Sequence, residues 1–391
     1  MKNWKIIIPF IFVVVLQTAC GKESAGGQNM AEQKVVAEVD EAIEEAVEEV
    51  GFQEETVEET EMVSEEEAEE TEVVIEEVAG EMAATPIDEK FATTHGALRV
   101  EDSQLVDQNG EPIQLYGMST HGIAWFPQFV SYDSFKTLRD DWHTNCVRLA
   151  MYTHEYNGYC TGGDAESLKS LIHTGVEAAT ELGMYCIIDW HVLNDRDPNV
   201  YKEQSKAFFE EMSEAYADHS NVIYEICNEP NGSTSWEDVK AYAKEIIPVI
   251  RENDPDAVII VGTTNWSQDI NKAMALPLEE QNILYALHFY AGTHKDELRS
   301  RMERCIQGGL PVIVSEFGMC DASGDGANDF ESAKEWLELI EKYNVSFFCW
   351  NLANKNEASS VFKASCIKTS DWMEEDMNES GKWIRNYFRG K

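Results

Sequence analysis

From Leu115 onward the chain alternates between two kinds of hydrophobic pattern. Short aliphatic or aromatic runs read as strands: Leu115–Met118, Cys146–Met151, Tyr185–Asp189, Val222–Cys227, Ala257–Val261, Leu284–His288, Val312–Ser315 and Val345–Cys349. Between them apolar residues recur at helical spacing. Leu168, Leu171, Ile172, Val176, Ala179 and Leu182 form one such set, Phe208, Met212, Ala215 and Tyr216 another, and Ala333, Trp336, Leu337 and Ile340 a third. Eight short strands separated by amphipathic helices over about 280 residues predict an α/β fold, a (β/α)8 TIM barrel. On pattern alone an open doubly wound sheet is the alternative. Ahead of the first barrel strand, Ala97 to Leu115 predicts a small N-terminal hairpin turning at Gln108-Asn109-Gly110, because Asn-Gly adopts the positive φ values of a tight turn.

A barrel places its working residues at the C-terminal ends of its strands. Here those ends read Ser119-Thr120-His121, Arg148 to Tyr152, Asp189-Trp190-His191, Asn228-Glu229, Thr263-Thr264-Asn265-Trp266, His288-Phe289-Tyr290, Glu316 and Trp350-Asn351. Nearly every tip is polar or aromatic, and eight such tips in order are hard to attribute to stability. Two of them deliver a carboxylate. Val222 to Pro230 runs Val-Ile-Tyr-Glu-Ile-Cys-Asn-Glu-Pro, and Pro311 to Gly318 runs Pro-Val-Ile-Val-Ser-Glu-Phe-Gly. One glutamate at a strand end could equally cap a helix or pair in a loop. Two on one rim supply what glycoside hydrolysis needs: a group that protonates the leaving oxygen, and one that attacks the sugar or activates water.

The ordered segments resemble glycoside hydrolase family 5, in its bacterial endoglucanase branch. They are Gly117 to Gly122, Arg148 to Thr153, Ile188 to His191, Val222 to Pro230, His288 to His294 and Val314 to Gly318, and the similarity covers about residues 93–388. The resemblance implies Glu229 as acid/base and Glu316 as nucleophile. It implies Asn228 at the sugar 2-hydroxyl, Arg148 and Tyr290 holding Glu316 ionised and aimed, and His288 beside Glu229. His191 would line the subsite next to the cleavage point, with Trp350 stacking on the sugar there. His121, Trp125, Tyr152, Trp266, Lys355 and Glu357 match family positions along a glucan cleft. Phe317 stands where this branch usually has Trp, and Cys349 and Asn351 flank Trp350 where Asn and Ser are usual. For Trp142 and Trp336, on helices, core packing is the reading.

Composition divides the chain of 391 residues and net charge −43. Met1 to Leu16 has Lys2 and Lys5 ahead of an apolar run too short to span a bilayer, which reads as an export signal. It leads to Gln17-Thr18-Ala19-Cys20-Gly21, which resembles a lipoprotein processing site with Cys20 lipidated; ordinary secretory cleavage is the alternative. From Ala31 to Lys90 there are 24 acidic residues, two lysines, no Trp or Tyr, and Phe52 as the one Phe. Such a stretch cannot bury a core and reads as a solvated, self-repelling linker. Val36, Val39, Ile43, Ala46 and Val50 have heptad-like spacing, but the glutamates flanking that seam would repel in a homodimer. The expected organisation is therefore a signal over 1–20, an acidic low-complexity linker over 21–90 and a catalytic barrel over 91–391.

The acidic balance excludes nucleic acid as a partner, since that requires a basic face. The histidines sit on different strands without metal-ligand spacing, so no metal and no cofactor are expected. Cys146, Cys186, Cys227 and Cys349 fall within predicted strands and read as small buried hydrophobes; Cys160, Cys305, Cys320 and Cys366 are undecided. The expectation is an exported, membrane-tethered, monomeric, retaining endo-β-1,4-glucanase acting on a β-glucan polysaccharide, with the membrane met only through the lipid anchor. Another β-glucan or β-mannan hydrolase of the same fold is the alternative, and a non-catalytic glycan-binding surface lipoprotein the reading from a different class.

Overall fold

A computed structural model describes residues 91–391. The expected signal with Cys20, the acidic linker and its heptad-like spacing lie outside the described residues. A two-stranded antiparallel sheet comes first, β1 (Arg99–Glu101) with β2 (Gln104–Val106). Eight parallel strands follow: β3 (Tyr116–Thr120), β4 (Cys146–Tyr152), β5 (Tyr185–His191), β6 (Val222–Glu225), β7 (Ile259–Gly262), β8 (Ile283–Tyr290), β9 (Val312–Gly318) and β10 (Phe347–Leu352). They pair in chain order and β10 closes on β3, so the sheet is a closed barrel and not an open doubly wound one.

All eight predicted strands are present, but their ends differ. β5, β8, β9 and β10 run two or three residues further toward their C-terminal tips than hydrophobicity suggests, because barrel strands are buried on both faces and polar tips still pair. The predicted hairpin is also redrawn. Its turn lies at Asp102-Ser103, both at positive φ, whereas Asn109-Gly110 closes a second turn that reaches only a single bridge, Val106 to Pro112.

Side-chain alternation sorts each strand into an inner and an outer face. On β4, Val147, Leu149 and Met151 pack outward into the main core, against helices such as Ala165–Glu181. Leu168, Ile172, Val176 and Ala179 of that helix are buried, as are Phe208, Met212 and Tyr216 of the helix Lys202–Tyr216; Ala215 is exposed, and Phe209 takes the inward place instead. Trp142 and Trp336 are fully buried in this layer. Helix starts are capped by side chains, including Asp164 and the reciprocal pair Ser235 and Asp238.

The inner face is stratified. At the N-terminal ends of the strands, Cys146, Tyr185, Ile187, Ile223, Ile260, Leu284 and Ile313 form an apolar plug, sealed by Leu98, Leu105 and Ile113 of the N-terminal segment. The next layer along the same strands is charged: Arg148, Asp189, Glu225 and His288, each almost fully buried. The cleft opens above it. All eight described cysteines are free, and all are buried except the half-buried Cys160, which settles the four undecided ones as thiols.

Candidate active site

The charged layer is organised by Arg148. Its Nε donates to Glu225 Oε2 at 2.7 Å and its Nη2 to Glu225 Oε1 at 3.2 Å. Nη2 also donates to Asn228 Oδ1 at 2.8 Å and lies 3.0 Å from Asp189 Oδ2, while Nη1 reaches Ser119 Oγ at 3.2 Å and Glu316 Oε2 at 3.4 Å. Burial alone would lower the guanidinium's pKa, but the charges of Asp189 and Glu225 outweigh it and keep the group cationic. One buried cation thus serves four carboxyl groups: Asp189, Glu225, Glu229 and Glu316. They cannot all ionise in a dry interior, so protons must be shared out among them.

The hydrogen-bond network indicates where the protons sit. Ser315 Oγ donates its only hydrogen to Glu225 Oε1 at 2.8 Å. It must therefore accept from His288 Nε2, 2.9 Å away, so that nitrogen is protonated. Burial drives the His288 pKa down to about 4, so the ring is neutral and Nδ1 keeps a lone pair. Glu229 Oε1 lies 2.8 Å from Nδ1 and meets that lone pair as a donor, as a carboxylic acid. Burial raises the Glu229 pKa to about 8, with Asp189 and Glu225 adding to the rise against Arg148. His191 follows the same logic. Nδ1 donates to Asp189 Oδ2 at 2.6 Å and Nε2 accepts from the Asn228 amide at 3.2 Å, a neutral ring whose pKa burial holds well below the usual histidine range.

Glu316 stands in a different setting. Tyr290 donates its hydroxyl to Oε1 at 2.8 Å, and Arg148 faces Oε2. Burial and then the neighbouring Glu229 raise its pKa to about 7, while His288, Arg148 and the Tyr290 bond pull the other way. Of the two, Glu316 ionises first. How it comes to face the cleft is a matter of register. Ala286 pairs with Ile313, but His288 pairs with Glu316, so β9 carries one extra residue between them. This bulge breaks the alternation and lets Ser315 and Glu316, neighbours in sequence, both point into the barrel.

Twelve of the fourteen non-lipid residues singled out in the sequence line a single cleft of about 610 Å³: His121, Trp125, Tyr152, His191, Glu229, Trp266, His288, Tyr290, Glu316, Trp350, Lys355 and Glu357. Trp350 stacks on His191, with centroids 5.3 Å apart, and Tyr152 packs on Trp125 at 4.6 Å. Lys355 pairs with Glu357 at 2.5 Å. Trp266 is 45% exposed.

The other two, Arg148 and Asn228, lie beneath the floor. The expected contact of Asn228 with a sugar hydroxyl is not presented: its oxygen accepts from Arg148 and its amide is engaged by His191 and by Val192 O at 3.2 Å. It buttresses His191 instead. Phe317 is also not at the cleft; it packs outward on Phe289 and Phe347, so this departure from the family pattern is a core substitution. Sequence reasoning passed over Glu225, Asp189 and Ser315 as site residues. The signal was there for Glu225, a charge inside an otherwise apolar strand, which demands a buried partner.

Among the described residues, Glu229, His288 and Glu316 are the group that could hold a metal ion, with one ligand atom from each within 4.8 Å of the others. Those atoms already have partners in one another, Tyr290 and Arg148. One oxygen of Glu229 and one of Glu316 therefore lie within 4.8 Å of each other. Retaining glycosidases need about 5–5.5 Å between the two carboxyl groups, and inverting ones about 6.5–9.5 Å.

Residues 106–356 match the model of the Cellulase family, glycosyl hydrolase family 5. The chain belongs to this family. It is 51% identical over 293 residues to Endoglucanase A of Butyrivibrio fibrisolvens, covering 74% of this chain and 68% of that one. It is 48% identical over 296 residues to an endoglucanase of Clostridium saccharobutylicum, covering 75% of this chain and 65% of that one, so the chain spans about two thirds of the length of these family 5 relatives. Among solved structures, the endoglucanase catalytic domain of Thermobifida fusca in complex with cellotetraose superposes with a TM-score of 0.73 at 37% identity, covering 77% of this chain and 99% of that one.

Proposed function

We propose that this family 5 glycoside hydrolase is a retaining endo-β-1,4-glucanase. The observation that carries the reading is the pair of carboxyl groups, close enough for a double displacement and placed in unlike surroundings. Glu229, protonated against neutral His288, gives its proton to the leaving oxygen. Glu316, the first of the pair to ionise and oriented by Tyr290 and Arg148, attacks the anomeric carbon. Glu229, now a carboxylate, then activates the water that releases the sugar. The long aromatic-lined cleft suits internal attack on a polymer, because the faces of Trp350, Trp125 and Trp266 match the apolar faces of glucose rings. Endoglucanase relatives at 51% and 48% identity support a cellulose-type substrate.

A reducing-sugar assay on carboxymethylcellulose, barley glucan, mannan and xyloglucan, with the first-released anomer followed by NMR, tests this. Release of β-anomer from the β-1,4-glucans is the expected result. Preference for mannan, or α-anomer appearing first, overturns the substrate or the mechanism.

The reading extends to location. The basic start, the short apolar run and Cys20 support export with a lipid anchor. Cys20→Ala is then expected to move activity from the membrane fraction to the medium or leave the chain unprocessed. Identical release of both forms favours simple secretion.

A further inference from the structure

We propose that Ser267 is a positioning residue for Glu229: its hydroxyl locks the peptide unit that carries the acid, from a left-handed turn that also presents Trp266 to the cleft. The inference rests on the reading of Glu229 as the proton donor.

The observation begins with backbone strain. Asn265, Trp266 and Ser267 follow β7 with φ values of 58°, 54° and 54°. The left-handed region is disfavoured for residues with a side chain, and they enter it singly far more often than in a run of three. Such a run persists only where its surroundings hold it, and strained segments gather at functional sites.

Two of the bonds that hold this one reach the segment after β6 that carries Glu229. Trp266 N donates to Pro230 O at 3.2 Å. Ser267 Oγ accepts from Thr263 N at 3.1 Å and donates to Asn228 O at 2.7 Å. The side chain is fully buried.

That carbonyl is half of the peptide unit linking Asn228 to Glu229. The other half, Glu229 N–H, donates to Val192 O at 3.0 Å in the loop after β5. One peptide plane is therefore held at both edges, by Ser267 on one side and by Val192 on the other. The Cα–Cβ direction of Glu229 follows from that plane, as does the reach of its carboxyl group to His288. The bare Cα of Gly262 packs against the same spot; a Cβ there would stand 2.5 Å from Asn228 O. The crowding favours a short hydroxyl donor at this position.

Without the Ser267 hydroxyl the plane can rotate and the acid drifts from its line to the leaving oxygen, a kind of displacement for which 1 Å can cost about 10²-fold in rate. Loss of a proton donor is felt in proportion to how much the leaving group needs one. The test is therefore a series of β-cellobiosides of similar size with phenol, 4-nitrophenol and 2,4-dinitrophenol as leaving groups, assayed on the full chain. In Ser267→Ala, kcat/KM is expected to fall about 10- to 100-fold for the phenyl substrate and to hold near the wild-type value for the dinitrophenyl one. The ratio between substrates does not depend on how much of the enzyme is folded. Should Ser267→Ala not fold at all, Ser267→Cys, of similar size and with a weaker donor, takes its place and is expected to show the same split.

A parallel fall for all three substrates would mean that Ser267 serves only the fold or the Trp266 platform, and overturns the proposal. So does an unchanged series. A wild-type enzyme inert on every member of the series would instead overturn the functional reading itself.

Discussion

Glu229 and Glu316 bring the same side chain to the same cleft and differ only in what touches them. Glu229 faces a neutral imidazole and little else; Glu316 faces a phenol and a guanidinium. Their duties should separate on mutation. On the proposed roles, Glu316→Ala removes the nucleophile, so even dinitrophenyl cellobioside should fail. Glu229→Ala should still expel dinitrophenolate, then stall as the glycosyl-enzyme, and azide, which needs no base, should restore turnover and give the β-azide. An α-azide from this variant would require the two roles to be exchanged. The pair also sets the pH profile. Rate is expected to rise as Glu316 ionises near about 7 and fall as Glu229 loses its proton near about 8, a narrow bell whose two limbs belong to the coupled pair. Stability carries the matching sign. The folded pKa of Glu229 is raised from 4.5 to about 8, so its contribution is fully present below about 4.5 and lost as pH rises through about 8. Glu229→Gln keeps a donor for His288 Nδ1 in its amide N–H and has no titrating proton to lose. Its Tm is expected to fall less than the wild type's between about pH 5 and about pH 9, ending a few degrees higher at the alkaline end; thermal scans across that range check it. At this scale the sequence was informative about which residues meet, because strand tips reveal rim residues. It was silent on the floor, because whether Asn228 faces sugar or Arg148 depends on which neighbours claim its amide.

The β9 bulge is where element geometry decides the chemistry. With strict alternation Ile313 and Ser315 would face inward, and Glu316 would point with Val314 into the outer core. One inserted residue turns Glu316 into the cleft while leaving Ser315 inside. Nothing in Val-Ile-Val-Ser-Glu-Phe-Gly announces this, since an apolar run buried on both faces carries no alternation to break. The misplaced hairpin turn has a similar origin: Asn109-Gly110 does turn, but the strand pairing went to the preceding Asp102-Ser103. The bulge also makes Ser315 a relay between His288 and Glu225. Ser315→Ala should leave Glu316 in place and leave Glu225 Oε1 with its bond from Arg148, yet orphan the buried Nε2–H of His288, at a cost of about 1–3 kcal/mol. Urea unfolding is expected to show that loss, with kcat falling as His288 is freed from its tautomer. An unchanged midpoint and rate would show that the relay is idle.

Across the whole molecule, the barrel carries its own closure. The apolar plug at the N-terminal ends of the strands is sealed by Leu98, Leu105 and Ile113, and Phe91 packs edge-on against Tyr185, so this seal begins at the first described residue. Ala92 N donates to Gly183 O, tying the same segment to the end of the helix Ala165–Glu181. Catalytic groups sit at the opposite ends of the strands, separated from the seal by the charged layer. The acidic stretch before Phe91 offers a neutral glucan a single aromatic residue, Phe52, and no Trp or Tyr, and its charge repels itself more than it could steer an uncharged substrate. A chain beginning at Phe91 is therefore expected to fold and to cleave soluble barley glucan with the kcat and KM of the full chain, at low and at high salt alike. What it should lose is attachment to membranes, if the preceding segment is a tether. A truncated chain that unfolds, or that keeps its Tm but loses most of its rate, would show that the acidic stretch contributes to the barrel or to the cleft and is more than a spacer.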